Sequence, residues 1–140
     1  MDIRTLDPDL VASPQIAPDD MKHIAAEGYR SVISNRPDGE APDQPATADL
    51  RRAAEAAGLQ FAHVPVVGGQ IGDNDIAAFR QALDDLPKPI FGFCRTGTRT
   101  TMLWALAHAS DTDADSLIST AKTAGYDLSG LRPRLEGAST

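Results

Sequence analysis

The sequence predicts an α/β domain with a mostly parallel sheet of four to five strands flanked by helices. Two patterns carry this reading. Short apolar runs alternate with longer stretches whose apolar residues recur every three to four positions. Proline, glycine and aspartate punctuate the joints between them. At 140 residues the chain suits one core. We therefore expect a single domain over residues 1–140, with its core over about 10–135 and four strands at its centre.

The elements follow in order. A short strand is expected over 10–16, interrupted by Pro14, and interrupted strands usually lie at a sheet edge. Pro18-Asp19-Asp20 opens a helix that turns Met21, Ile24 and Ala25 inward and stops at Gly28. A strand over 29–34 centres on Val32 and Ile33. A polar loop runs from Asn35 to Pro45, longer than a plain connector and placed after a strand, where α/β sheets bind ligands. An alanine-rich helix over 47–57 repeats Leu50, Ala53, Ala54 and Ala57 at helical spacing and ends at Gly58. Residues 61–67 read as a third strand, followed by the Gly68-Gly69 turn. Asp73-Asn74-Asp75 opens a helix over 76–86 with Phe79, Leu83 and Leu86 on one face. Pro87 and Pro89 bracket the turn into the last strand. After the following helix come another over 113–124 and a helical tail near 128–135. This all-helical final third should pack on one side of the sheet.

The chemistry concentrates in Phe93-Cys94-Arg95-Thr96-Gly97-Thr98-Arg99-Thr100. It reads as a strand feeding a tight loop feeding a helix, with Met102, Leu103, Leu106 and Ala107 at helical spacing behind it. Such a turn aims several backbone N–H groups at one spot and makes an anion site. The same donors, the helix N-terminus and the Arg99 guanidinium favour the thiolate of Cys94, the nucleophilic form of the only cysteine. Arg95 and Arg99 also invert the local sign of a chain that carries 13 basic against 20 acidic residues, net −7. That balance disfavours nucleic acid and anionic membranes as partners. A lone cysteine, no signal-like N-terminus and no long apolar run point to a soluble, cytoplasmic protein. His23, His63 and His108 are scattered, so no metal and no cofactor are expected. His63 reads as a satisfied interior or rim group and Trp104 as core. A small anionic or phosphorylated substrate is the expected partner; the oligomeric state is not legible.

Taken together, these segments resemble the phosphatase-like domain of the beta-lactamase hydrolase-like family, a distant relative of dual-specificity and tyrosine phosphatases. The carriers are Pro14-Gln15-Ile16, the run from Gly28 to Glu40 with Asn35-Arg36-Pro37-Asp38-Gly39-Glu40, His63-Val64-Pro65-Val66, and the Cys94 loop with Leu103-Trp104-Ala105 behind it. The resemblance implies a phosphatase-like fold and a phosphocysteine mechanism. In it Cys94 is the nucleophile and Arg95, Thr96, Gly97 and Thr98 line the phosphate cradle. Arg99 clamps the phosphate, and Thr100 bonds the leaving thiolate. Arg36 is a further candidate anion ligand.

The chain also departs from that pattern. Tyrosine phosphatases place five residues between cysteine and arginine, and here there are four. A six-residue loop over 94–99 is similar to that of single-domain rhodanese sulfurtransferases. Phe93 stands where phosphatases usually carry histidine. Gly68-Gly69 stands where dual-specificity phosphatases carry an aspartate general acid, leaving Asp38 and Asp73 as candidates. Three functions stay open: phosphoryl transfer through phosphocysteine, sulfur transfer through a Cys94 persulfide, and anion or phosphopeptide binding without turnover.

Overall fold

In the computed structural model, which describes residues 1–138, a five-stranded sheet is covered by helices on both faces. The strands are β1 (Arg4–Asp7), β2 (Leu10–Ser13), β3 (Ser31–Ser34), β4 (Gln60–His63) and β5 (Ile90–Phe93), in spatial order β1-β2-β5-β3-β4. β2, β5, β3 and β4 run parallel, and β1 folds back antiparallel on β2. The helices are α1 (Met21–Ala26), α2 (Thr47–Ala56), α3 (Asp73–Asp85), α4 (Thr98–His108), α5 (Ala114–Thr123) and α6 (Arg132–Ala138), with 3-10 turns at Pro18–Asp20 and Ser129–Leu131.

The expected edge strand at 10–16 is corrected on two points. β2 ends at Ser13, before Pro14, so the proline interrupts nothing. It is also interior, because β1 pairs along its far side. Asp7 makes that hairpin: its Oδ1 accepts the Asp9 and Leu10 N–H groups at 2.8 and 2.9 Å. Its Oδ2 accepts the Trp104 indole N–H at 2.8 Å, which ties the hairpin to α4. β4 is shorter than the expected 61–67, although Val64 and Val66 N–H still donate to Ser34 O and Asn35 O at 2.9 and 3.1 Å beyond its end.

Alternation along the strands sorts the core into two layers. Val11, Val32, Phe61, Phe91 and Phe93 meet Met21, Ile24, Leu50 and Ala54 from α1 and α2. Leu10, Ala12, Ile33 and Ile90 face the other way, toward Phe79, Leu103, Leu106, Leu117 and Leu135 from α3, α4, α5 and α6. The final third thus packs on one face, as expected, with α3 beside it. α4 is buried nearly all round, from Thr100 to Ala107, including both threonines. Gly92 explains how α4 comes so near the sheet. A Cβ there would lie 2.8 Å from Thr100 Cγ2 and 3.3 Å from the Val11 carbonyl, so only glycine fits.

Candidate functional site

The parallel strands deliver their carboxyl ends to one place, and the loop 94–99 sits there. The ladders continue into it: Cys94 N–H donates to Ser13 O at 3.3 Å, Gln15 N–H to Arg95 O at 3.2 Å, and Asn35 N–H to Phe93 O at 2.9 Å. Cys94 is fully buried, and its Sγ accepts the Gly97 N–H at 3.1 Å. Gly97, the residue before α4, has φ +93°, where a side chain is strained. A Cβ there would also lie 2.1 Å from the Tyr126 hydroxyl. That hydroxyl donates to Thr96 O at 3.2 Å, so Tyr126 braces the loop from outside. Burial pushes the Tyr126 phenol up, and the negative charge of a Cys94 thiolate adds to it.

The Thr98 N–H goes to Thr96 Oγ1 at 3.4 Å. The N–H groups of Arg95, Thr96, Arg99 and Thr100 have no acceptor among the described residues. Such orphans at a helix start are what an anion takes.

The Arg99 guanidinium is likewise divided between bonded and unbonded hydrogens. Nη1 gives both hydrogens away, to Glu40 Oε2 at 2.6 Å and to Val66 O at 2.9 Å. Nη2 gives one to Glu40 Oε1 at 2.9 Å. Nε–H and the second Nη2 hydrogen bond no oxygen among the described residues; they form the parallel fork that suits an oxyanion, on a guanidinium that also lies within reach of Cys94. The Glu40 bonds hold the guanidinium above its ordinary value, against the effect of burial, and the charge of a Cys94 thiolate adds to this. Glu40 thus grips one edge of Arg99 and leaves the other open.

Glu40 is the residue that sequence reasoning missed. Its Oε1 also accepts Arg36 Nε–H at 2.9 Å. Between the two arginines its carboxyl is held down to about 2, first by the Arg99 hydrogen bond, against burial, and then by Arg36. The other Arg36 guanidinium bond, Nη1–H to Gln15 Oε1 at 3.0 Å, reaches the segment that backs the loop. Arg36 is only 7% exposed. Expected as a candidate anion ligand, its guanidinium here anchors Glu40 and Gln15. Its length and its place after a strand mark the loop from Asn35 onward as a candidate functional segment, but do not tell which of its acids turns inward.

Three further candidates take the following places. Thr100 does not bond the thiol here. The Asn35 amide donates through Nδ2 to Val64 O at 2.9 Å, which aims Oδ1 at Thr100, and the threonine hydroxyl donates its one proton there at 2.8 Å. Asp38 is engaged elsewhere. Its Oδ1 accepts the Thr47 N–H at 2.8 Å and the Thr47 hydroxyl at 2.9 Å, which hold the carboxyl below its usual range and cap α2. Asp73 begins α3 and lines a groove with Ile76, Arg80, Leu106 and Ser110, a groove that no residue of the loop 94–99 shares. His63 donates Nε2–H to Arg36 O at 2.8 Å, and buried Trp104 is core apart from its Asp7 bond. Among the described residues no group of three or more His, Cys, Asp or Glu side chains is arranged to hold a metal ion, and no helix is long and apolar enough to cross a membrane.

Asp38→Ala tests the cap. It is expected to cost about 1 kcal/mol and a few degrees of melting temperature, read by thermal denaturation. Lost turnover at an unchanged melting temperature would restore Asp38 as a candidate acid.

A family model for the phosphatase-like domain of beta-lactamase hydrolase-like protein matches residues 2–111. The beta-lactamase hydrolase-like protein of Agrobacterium fabrum is 36% identical over 129 residues, which is 91% of this chain and 30% of that protein. The chain therefore spans under a third of that relative's length. A crystal structure of a candidate phosphatase from Neisseria meningitidis superposes with TM-score 0.89 at 38% identity, covering 99% of both chains. Tk-PTP in its active form shares the fold at TM-score 0.75 and 12% identity, over 99% of this chain and 96% of its own. With its loop 94–99 at the carboxyl ends of a tyrosine-phosphatase-like sheet, the chain belongs to the family of the phosphatase-like domain of beta-lactamase hydrolase-like proteins.

Proposed function

We propose that this phosphatase-like domain hydrolyses phosphate esters or anhydrides through Cys94. The thiolate attacks phosphorus and forms a phosphocysteine, and water then releases phosphate. The four unengaged N–H groups of Arg95, Thr96, Arg99 and Thr100 and the open Arg99 fork surround the non-bridging oxygens, where charge is spread in the transition state. Asn35 holds Thr100, and Tyr126 holds Thr96, so the cradle is set before substrate arrives. The observation that carries this reading is the division of Arg99 into an edge held by Glu40 and an edge left for the anion.

A second reading is sulfur transfer through a Cys94 persulfide. The six-residue loop favours it, and so does the commitment of Asp38 to Thr47, since a persulfide needs no general acid. One preparation, incubated separately with p-nitrophenyl phosphate and with thiosulfate, separates the two. Cys94-dependent phosphate release, with a phosphorylated Cys94 in the quenched protein, is the expected result. A cyanide-labile gain of one sulfur on Cys94 without phosphate release would replace phosphoryl by sulfur transfer. Tight phosphate binding with neither product would leave a binding module.

A further inference from the structure

Phosphoryl transfer to Cys94 moves one electron pair out of the P–O bond as another forms the S–P bond, and the leaving oxygen carries that pair away. An alcohol needs a proton at that moment; a stable anion does not. The groups that would supply the proton are committed in this structure. Glu40 is fixed by both arginines as a carboxylate. Asp38 is an ionised cap on Thr47. Asp73 lies in the groove beside Leu106 and Ser110. The Tyr126 hydroxyl donates to Thr96 O and lies on the outer side of Gly97.

The segment 64–72 between β4 and α3 overhangs Arg99. Val66 O takes an Arg99 hydrogen at 2.9 Å, and a Cβ on Gly68 would sit 4.0 Å from Arg99 Cδ. The segment is tied at both ends, by Asn35 Nδ2–H to Val64 O at 2.9 Å and Arg134 Nη1–H to Ile71 O at 2.8 Å. Its tip, Val67-Gly68-Gly69-Gln70, bears no group that releases a proton near neutral pH, and Val67 is among the few large apolar side chains left exposed. A segment anchored this way does not need to carry an acid if the leaving oxygen departs unprotonated.

From this geometry we infer that the site takes phosphoryl groups whose leaving oxygen is stable as an anion at neutral pH: phosphoanhydrides, acyl phosphates and electron-poor aryl phosphates. Phosphomonoesters of ordinary alcohols are not its substrates. This rests on the phosphocysteine reading above. In the second half of the cycle water attacks phosphorus, the S–P bond returns its pair to sulfur, and the water's proton leaves with phosphate or solvent, so the protein needs no net proton.

The test is kcat/KM, which reports the first irreversible step, across substituted phenyl phosphates of graded leaving-group acidity, with acetyl phosphate and glycerol phosphate at the extremes. We expect a fall approaching tenfold per unit of leaving-group pKa, acetyl phosphate among the best substrates, and glycerol phosphate at least about 10³-fold below p-nitrophenyl phosphate. The slope should be the same in Asp38→Asn and in Asp73→Asn. A flat series, or glycerol phosphate within tenfold of p-nitrophenyl phosphate, would overturn the inference. So would a slope that steepens in either aspartate variant. Absence of Cys94-dependent phosphate release from every compound would instead overturn the phosphatase reading itself.

Discussion

Cys94→Ser is expected to lose phosphate release from p-nitrophenyl phosphate by about 10⁴-fold or more while still binding inorganic phosphate. The two halves of this result have different physical sources. The serine hydroxyl is far harder to ionise than a thiol, so the nucleophile disappears. The cradle does not, because the N–H groups of Arg95, Thr96, Arg99 and Thr100 and the open edge of Arg99 belong to backbone and guanidinium. The Gly97 N–H that meets Sγ at 3.1 Å can still meet a hydroxyl oxygen. Turnover by release assay and phosphate affinity by calorimetry separate these terms. Activity of the serine variant within tenfold of the parent would remove Cys94 from the chemistry. Lost phosphate affinity would mean that the sulfur, not the loop, organises the donors.

Glu40→Gln is expected to lower kcat/KM on the order of 10²-fold, although no atom of Glu40 is assigned to the reaction. The carboxylate holds two guanidinium groups at once, through bonds of 2.6, 2.9 and 2.9 Å. An amide offers one acceptor oxygen and no charge, so Arg99 keeps its Val66 O bond but loses the two-point grip on its edge, and the buried Arg36 loses its counter-ion. Arg99→Lys should fail in a related way, since an ammonium cannot engage Glu40 and an oxyanion along two edges. The pH dependence supplies a readout independent of turnover. The folded-state pKa of Glu40 is depressed to about 2 from an ordinary 4.5. A depressed carboxyl contributes stability that is fully present above its unfolded value and is lost as pH falls through the folded one. The parent should therefore lose stability relative to Glu40→Gln as pH falls from about 5 to about 2. Denaturant melts with parallel pH profiles for the two proteins would show that the ion pairs contribute little.

Much of this was legible in the residues. The Cys94 loop, the alternation of strand and helix and the one-sided packing of the final third follow from local spacing, and local spacing is what sequence displays. β1 was not legible, because Arg4-Thr5-Leu6-Asp7 holds one apolar residue and looks like a leader to the turn at Pro8. Its strand exists because Asp7 closes a hairpin onto β2 and reaches Trp104, 97 positions away. Glu40 was hidden for the same reason. Asp38 and Glu40 lie two residues apart in one polar loop, and only the path of the chain past Gly39 decides that one caps α2 while the other turns to Arg99. The brace from Tyr126 joins residues 30 apart and leaves no spacing to read.

The family model ends at residue 111, but the packing around α4 does not. Leu117, Leu128 and Leu135 complete the layer against Leu103 and Leu106, Tyr126 presses on the loop, and Arg134 holds the overhang at Ile71. The recognisable motif and the mechanical unit are therefore different lengths of chain. Anyone transplanting this loop into another scaffold, or trimming it to a minimal catalyst, would have to carry α5, the 3-10 turn after it and α6 as its roof.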